Sequence, residues 1–208
     1  MTQILYLKTS PRGDASYSNR VGDHVIDELR KAHPGASVKV RDLSSQQLLH
    51  IDEEYLTGLR KTENLSEKQS KCNAFTDELI EELQAADVVV LAVAMINFSI
   101  PSSLKAWIDH VAQAGRTFRY EQDGPKGLLT GKKVILVKAK GGVYSEGPAK
   151  AADFVTPYLM HMLGFMGLTD IEMVTVEGTV FGEEQANQAV AQALTHASRV
   201  AGSVSQAA

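Results

Sequence analysis

Two rhythms of apolar residues alternate along the chain. Five short segments are rich in Val, Ile and Leu at neighbouring positions: Gln3 to Thr9 (QILYLKT), Ser37 to Leu43 (SVKVRDL), Asp87 to Val93 (DVVVLAV), Lys133 to Ala139 (KVILVKA) and Asp170 to Val176 (DIEMVTV). Their length and β-branched content read as strands. Two are nearly continuous in apolar residues, which suits strands covered on both faces.

Between these segments the apolar residues recur at helical spacing. Val21, Val25, Ile26 and Leu29 share one face, as do Phe75, Leu79, Ile80 and Leu83, and Leu104, Trp107, Ile108 and Val111 form a third stripe. In TPYLMHMLGFMG, Thr156 is the expected N-cap, Pro157 the first helical residue and Gly167 the stop. Glu183 to Val200 reads as a last helix. Ser44 to Ser66 is poorly periodic and reads as a surface excursion.

Strand and helix thus alternate five times, which predicts an α/β fold with a parallel sheet and helices on both faces. No repeat or linker divides the chain, so residues 1–208 are expected to form one domain. Sheets of this kind adopt the order 3-2-1-4-5 or 2-1-3-4-5, and ligands bind where the order reverses.

Composition narrows the classes. With 21 basic and 25 acidic residues the net charge is −4, and no basic stripe is present, so nucleic acid is not expected as a partner. The longest apolar run, Val88 to Ile96, is far short of the roughly 18 residues of a membrane helix. The N-terminal Lys8 follows the apolar stretch, the wrong order for a secretory signal. Cys72 is the only cysteine, which excludes an intrachain disulfide, points to the cytoplasm and reads as packing. The six histidines lack metal-ligand spacing, so no metal is expected and they read as surface or interface residues.

The chemistry gathers at strand ends. The first strand runs into KTSPRGDASYSNR, a loop opening onto a helix N-terminus, where free N–H groups favour an anion. Its single glycine, Gly13, fits neither a triphosphate loop nor a dinucleotide loop. Hydroxyls on Thr9, Ser10, Ser16 and Ser18 suit a small terminal phosphate, although Ser16 or Ser18 as an ordinary helix cap explains part of the pattern. The third strand ends in AMINFS and the fourth in KGG, where Gly141 and Gly142 let backbone approach a flat ligand. In the order 2-1-3-4-5 these ends converge, and a phosphate pocket beside a polar rail and a glycine floor matches flavin mononucleotide (FMN).

SPRGDASYSN, MINFSIPSSLKAWID, AGRTFRY, LLTGKKVILVKAKGG and TPYLMHMLGFMG together resemble the FMN-dependent NADH azoreductases, in order and over essentially the full chain. The resemblance implies a flavodoxin-like doubly wound five-stranded sheet of order 2-1-3-4-5, a homodimer, and reduction of azo compounds and quinones by NADH or NADPH. Ser10, Ser16, Tyr17 and Ser18 would hold the FMN phosphate. Met95, Ile96, Asn97 and Phe98 would line the isoalloxazine, and Ala139, Lys140, Gly141 and Gly142 would meet its pyrimidine edge. Arg60, Tyr120 and Phe165 would border the substrate pocket, some from the partner subunit. Family members usually carry Pro and Tyr where this chain has Ala94 and Ile96, and Ser and Arg where it has Ala139 and Lys140.

A flavin brings its own redox chemistry, so no catalytic side chain is required. Lys140 near the pyrimidine edge is expected to tune reduced flavin in a two-electron ping-pong cycle. The segment Tyr158 to Met166 is apolar around most of its circumference, which predicts either a dimer interface or a deeply buried helix. Two rival functions share the architecture: a flavodoxin-like electron carrier and a dedicated NAD(P)H quinone reductase.

Overall fold

The computed structural model describes residues 1–45, 48–59 and 63–204. Its elements follow the alternation expected: β1 (Gln3–Lys8), α1 (Tyr17–Ala32), β2 (Ser37–Asp42), α2 (Glu53–Gly58), α3 (Glu67–Ala85), β3 (Val88–Ala94), α4 (Ser102–Val111), β4 (Phe118–Glu121), β5 (Gly124–Gly127), β6 (Lys133–Ala139), α5 (Val155–Met166), β7 (Asp170–Val176) and α6 (Glu183–Val204). The main sheet has the order β2-β1-β3-β6-β7 and all its pairings are parallel. Counting only strands of that sheet, this is 2-1-3-4-5, so the order reverses between β1 and β3.

Successive strand residues point to opposite faces, and each face has its own core. Ile4 and Tyr6 of β1 pack with Val90, Val137 and the stripes of α1 and α6, including Val25, Leu29, Val190 and Ala197. Leu5 and Leu7 face the other way, into α3, α4 and α5, with Leu79, Leu83, Trp107, Leu136 and Leu159. Cys72 lies in α3 and is buried. No helix among the described residues is long and apolar enough to cross a membrane.

Four details depart from the sequence expectations. First, α5 begins at Val155 rather than after Thr156: the Asp153 carboxylate accepts from the Val155 and Thr156 N–H groups, capping the helix two residues earlier. Its end is where expected, at Gly167 with φ of 99°.

Second, β4 and β5 form an antiparallel hairpin. It docks on the end of α5, where Phe118 and Phe165 have ring centroids 4.4 Å apart and Leu129 N–H donates to the Met166 carbonyl. A Cβ on Gly127 would lie 2.1 Å from the Gly167 nitrogen, so only glycine allows this approach.

Third, the described part of the excursion after β2 is partly buried rather than lying wholly on the surface. Leu48 and Tyr55 are buried, and α2 packs on α3. The clamp is His110, which is fully buried rather than on the surface. Its Nε2 is 2.8 Å from the Leu49 carbonyl and its Nδ1 2.8 Å from Thr76 Oγ1. Fourth, α6 runs on to Val204, because Ala201 and Val204 continue its buried stripe past Val200.

Candidate functional site

Hydrogen bonds stitch the strand ends into one rim. Thr9 donates to the Ala92 carbonyl through both its N–H (3.2 Å) and its Oγ1 (2.9 Å), fixing the end of β1 against β3. Met95 N–H donates to Ala139 O at 2.9 Å, tying β3 to β6, and Lys140 N–H donates to Val176 O at 2.9 Å, tying β6 to β7. The loop after β7 folds back over this end, with Gly178 N–H on Gly142 O and Val180 N–H on Gly141 O, both at 3.1 Å. The segments around Ser10 to Ser18, Met95 to Phe98 and Ala139 to Gly142 are therefore neighbours along one edge of the sheet.

At the β1 side, Ser10, Ser16 and Ser18 are all buried. Ser16 is the N-cap of α1, accepting from Asn19 N–H at 3.2 Å, and its Oγ lies 3.1 Å from Ser18 Oγ. The capping role and the ligand role are thus compatible: the cap orients the hydroxyl. Among the described residues, the N–H groups of Ser10, Tyr17 and Ser18 have no acceptor. Buried donors without partners are costly unless something fills them. Free N–H groups, two buried hydroxyls and the positive end of a 16-residue helix make a seat for a dianion. Asn19 Nδ2 closes the loop by donating to Gly13 O at 3.2 Å.

The end of the third strand, MINFS, reverses in a tight turn. Asn97 and Phe98 have φ of 46° and 69°, and Ile96 and Ser99 exchange N–H to O bonds of 2.9 and 3.0 Å across them. Positive φ at both central positions defines a type I′ turn, whose twist suits a tight reversal. Asn tolerates this region; a bulky Phe there is strained, a condition met most often at binding sites. The reversal leaves the Asn97 and Phe98 N–H groups without acceptors among the described residues, while Ile96 and Phe98 are 39% and 51% exposed. Two outward N–H donors beside two exposed apolar side chains fit the edge and face of a flat heteroaromatic ring.

Beyond the turn, Phe98 meets Tyr144 edge-on with centroids 6.3 Å apart, and Phe98 O accepts from Phe154 N–H at 3.1 Å. The side-chain directions of Gly141 and Gly142 are taken by Val180 (2.9 Å) and Tyr144 (3.2 Å), so the glycines draw these neighbours against the strand end. Lys140 is buried. Its Nζ is 2.6 Å from Asp153 Oδ2 and 3.3 Å from Glu177 Oε1. The cation expected to face the ring edge is therefore held between two carboxylates. Burial pushes the Asp153 carboxyl up, but hydrogen bonds from Lys140 and Thr156 outweigh it and hold the pKa at about 2. Burial likewise opposes Glu177, and bonds from Ser145, the Tyr144 N–H and Lys140 bring it below the usual carboxylate range.

The expected substrate residues lie elsewhere. Tyr120 is exposed on β4 and packs edge-on against Phe118, which in turn contacts Phe165. Phe165 is near the far end of α5, roughly 16 Å along the helix axis from Phe154. Within one chain these two aromatics and the I′ turn are at opposite ends of α5. Arg60 lies outside the described residues. The aromatics the sequence reading passed over are Tyr144 and Phe154, both at the rim; the GPAK turn between them carries no periodic signal.

A family profile described as a flavodoxin-like fold matches residues 2–200. The chain belongs to that flavodoxin-like family. Among its relatives, an FMN-dependent NADH:quinone oxidoreductase of Mesorhizobium japonicum is 43% identical over 99% of this chain and 98% of its own length. Among solved structures, an azoreductase of Bacillus anthracis superposes with a TM-score of 0.90 at 32% identity, covering 98% of this chain and all of that one. An FMN-dependent NADH-azoreductase of the same species, solved in complex with FMN, gives a TM-score of 0.87 at 26% identity, over 97% of this chain and 100% of that chain. The flavodoxin-like chain is thus similar, over nearly its whole length, to proteins of one oxidoreductase family.

Proposed function

We propose that the chain is an FMN-dependent NAD(P)H oxidoreductase, with NADH as donor, that reduces quinones and azo compounds. The observation that carries this reading is the meeting, along one sheet edge, of an anion seat at Ser10 to Ser18 and N–H donors at Asn97 and Phe98 that have no acceptor among the described residues. The relatives' names supply the reaction class.

In this reading Ser10, Ser16 and Ser18, with the N–H groups of Tyr17 and Ser18, bind the FMN phosphate. The Met95 to Phe98 turn holds the ring edge and Ala139 to Gly142 its pyrimidine side, while Phe98, Ile96 and Phe154 exclude water from the ring. FMN held there would supply the two-electron redox chemistry between nicotinamide donor and quinone or azo acceptor. One crevice serves donor and acceptor in turn, a ping-pong order. Lys140 contributes through its backbone and through the Asp153 and Glu177 pairing that fixes the β6 end; any tuning of the flavin by its charge is correspondingly muted.

The active form in this proposal is a cytoplasmic homodimer. Tyr120 and half-buried Phe165 do not reach the I′ turn of their own chain, and exposed Met160 and Tyr120 leave apolar surface at that end of α5. A second copy would use these aromatics, and Arg60, to close the other protomer's pocket.

The deciding experiment starts with the colour of the purified protein. Yellow protein that retains FMN through desalting, oxidises NADH with menadione or methyl red, and gives parallel double-reciprocal lines is the expected result. Protein that neither carries nor takes up FMN overturns the reading, and flavoprotein without steady-state turnover makes it an electron carrier instead. Sedimentation as a monomer at assay concentrations removes the dimer.

A further inference from the structure

Beside the crevice a cleft of about 670 Å³ opens between the ends of β6 and β7, the first turn of α5 and the flank of α6. Its lining includes Lys138, Lys140, Tyr144, Lys150, Pro157 and Ala189. Of these, only Lys140 and Tyr144 also border the proposed flavin crevice.

Lys138 is its unusual member. The residue is only 5% exposed. An ammonium has three N–H donors. Nζ is 2.9 Å from Thr156 Oγ1 and 3.4 Å from Met173 Sδ, and these neutral atoms account for two. Among the described residues no carboxylate pairs with it. The nearest acids are already committed: Asp153 accepts from Lys140 and from Thr156, and Glu177 accepts from Lys140. The lining thus sets three cations, Lys138, Lys140 and Lys150, against two anions, Asp153 and Glu177.

Burial, and after it the Lys140 charge, push the Lys138 ammonium below the ordinary lysine range. A buried charge is expensive without a counter-ion. We propose that this cleft is a binding site for a small aromatic carboxylate, whose anionic head accepts the remaining N–H of Lys138 while its ring lies between Tyr144, Pro157 and Ala189. The volume is in the range of small-molecule sites. The Thr175 hydroxyl in the lining supplies a further donor, and exposed Lys150 guards the mouth. The carboxylate supplies the one negative charge the lining lacks. The site adjoins the flavin crevice, sharing Tyr144 and Lys140 with it, and its ligand head is placed at Lys138.

Calorimetric titration of the FMN-loaded protein with benzoate, and with benzamide as its uncharged counterpart, tests the assignment. Benzoate should bind and benzamide should bind about tenfold more weakly or worse, the loss expected for a hydrogen bond to a charged group. Lys138→Met, nearly isosteric, should lower benzoate affinity by at least about the same factor while leaving menadione reduction unchanged, and Lys138→Arg should retain binding. Benzoate should not compete with menadione. Equal affinity of wild type and Lys138→Met, equal affinity for benzoate and benzamide, competition with menadione, or no benzoate binding would each overturn the site.

Discussion

The Lys140 ammonium lies 2.6 Å from the Asp153 carboxylate, and Asp153 simultaneously caps α5 through the Val155 and Thr156 N–H groups. One side chain thus joins the end of β6 to the start of the next helix, with Glu177 of the loop after β7 as the third member.

That junction predicts a pH dependence. Asp153 titrates at about 2 in the folded chain against a normal value of 3.8, so the folded state favours its ionised form. Its contribution is fully present above about pH 4 and is lost as the pH falls through about 2, a span worth roughly 2 kcal/mol. Asp153→Asn should be less stable than wild type by about that amount at pH 7. In urea denaturation series the gap should close between pH 4 and pH 2; a gap independent of pH would show that the cap alone matters.

The I′ turn makes a conformational prediction. Asn97→Gly keeps the left-handed backbone available and should leave stability and FMN affinity close to wild type. Asn97→Val places a β-branched residue at φ of 46° and should cost about 1 to 2 kcal/mol in thermal unfolding. If the N–H groups of this turn hold the ring, the Val variant should also release FMN more readily, measured by recovery of flavin fluorescence.

Ser16 and Ser18 separate capping from anion binding. Ser16→Ala removes the acceptor for Asn19 N–H and should cost the apoprotein about 1 kcal/mol. Ser18→Ala should barely change apoprotein stability, yet weaken FMN about tenfold while leaving riboflavin binding unchanged, because only FMN carries the phosphate. Equal effects on both flavins would move the phosphate away from α1.

His110 should control the excursion. With its two nitrogens committed to Thr76 and Leu49, and its ring edge-on to Tyr55 and Phe75, His110→Ala should destabilise the fold by about 2 to 4 kcal/mol. Amide exchange should rise at residues 48–58 before it rises in α4. Uniform exchange across the chain would mean that His110 supports the core rather than the clamp.

Gly127→Ala should displace the hairpin from Gly167, since no side chain is available to move out of the way. Thermal stability should fall by about 1 to 3 kcal/mol. If Tyr120 of one protomer serves the other's pocket, KM for menadione should rise while the FMN content stays constant.

The alternation of strands and helices, both cores and the strand ends that carry the proposed anion seat and rail were legible in the sequence because they rest on local rules, whereas the choice of 2-1-3-4-5 over 3-2-1-4-5 came from the family resemblance. Continuous apolar runs mark doubly covered strands, helical spacing marks the stripes of α1, α3 and α4, and in a parallel sheet all strand ends of one kind share an edge. A serine cap before the stripe of α1 was readable for the same reason, with Ser16 and Ser18 as candidates; the folded chain gives the role to Ser16.

The tertiary structure alone decided what depends on residues far apart in the chain. Lys140 looked like a free cation until Asp153 and Glu177 closed on it; His110 looked like surface until α2 folded back over it; and Gly127 carried no signal until Gly167 arrived. Periodicity tells which face a residue occupies. Charge compensation and close backbone approach are pairwise properties, and their partners are set only when the elements pack.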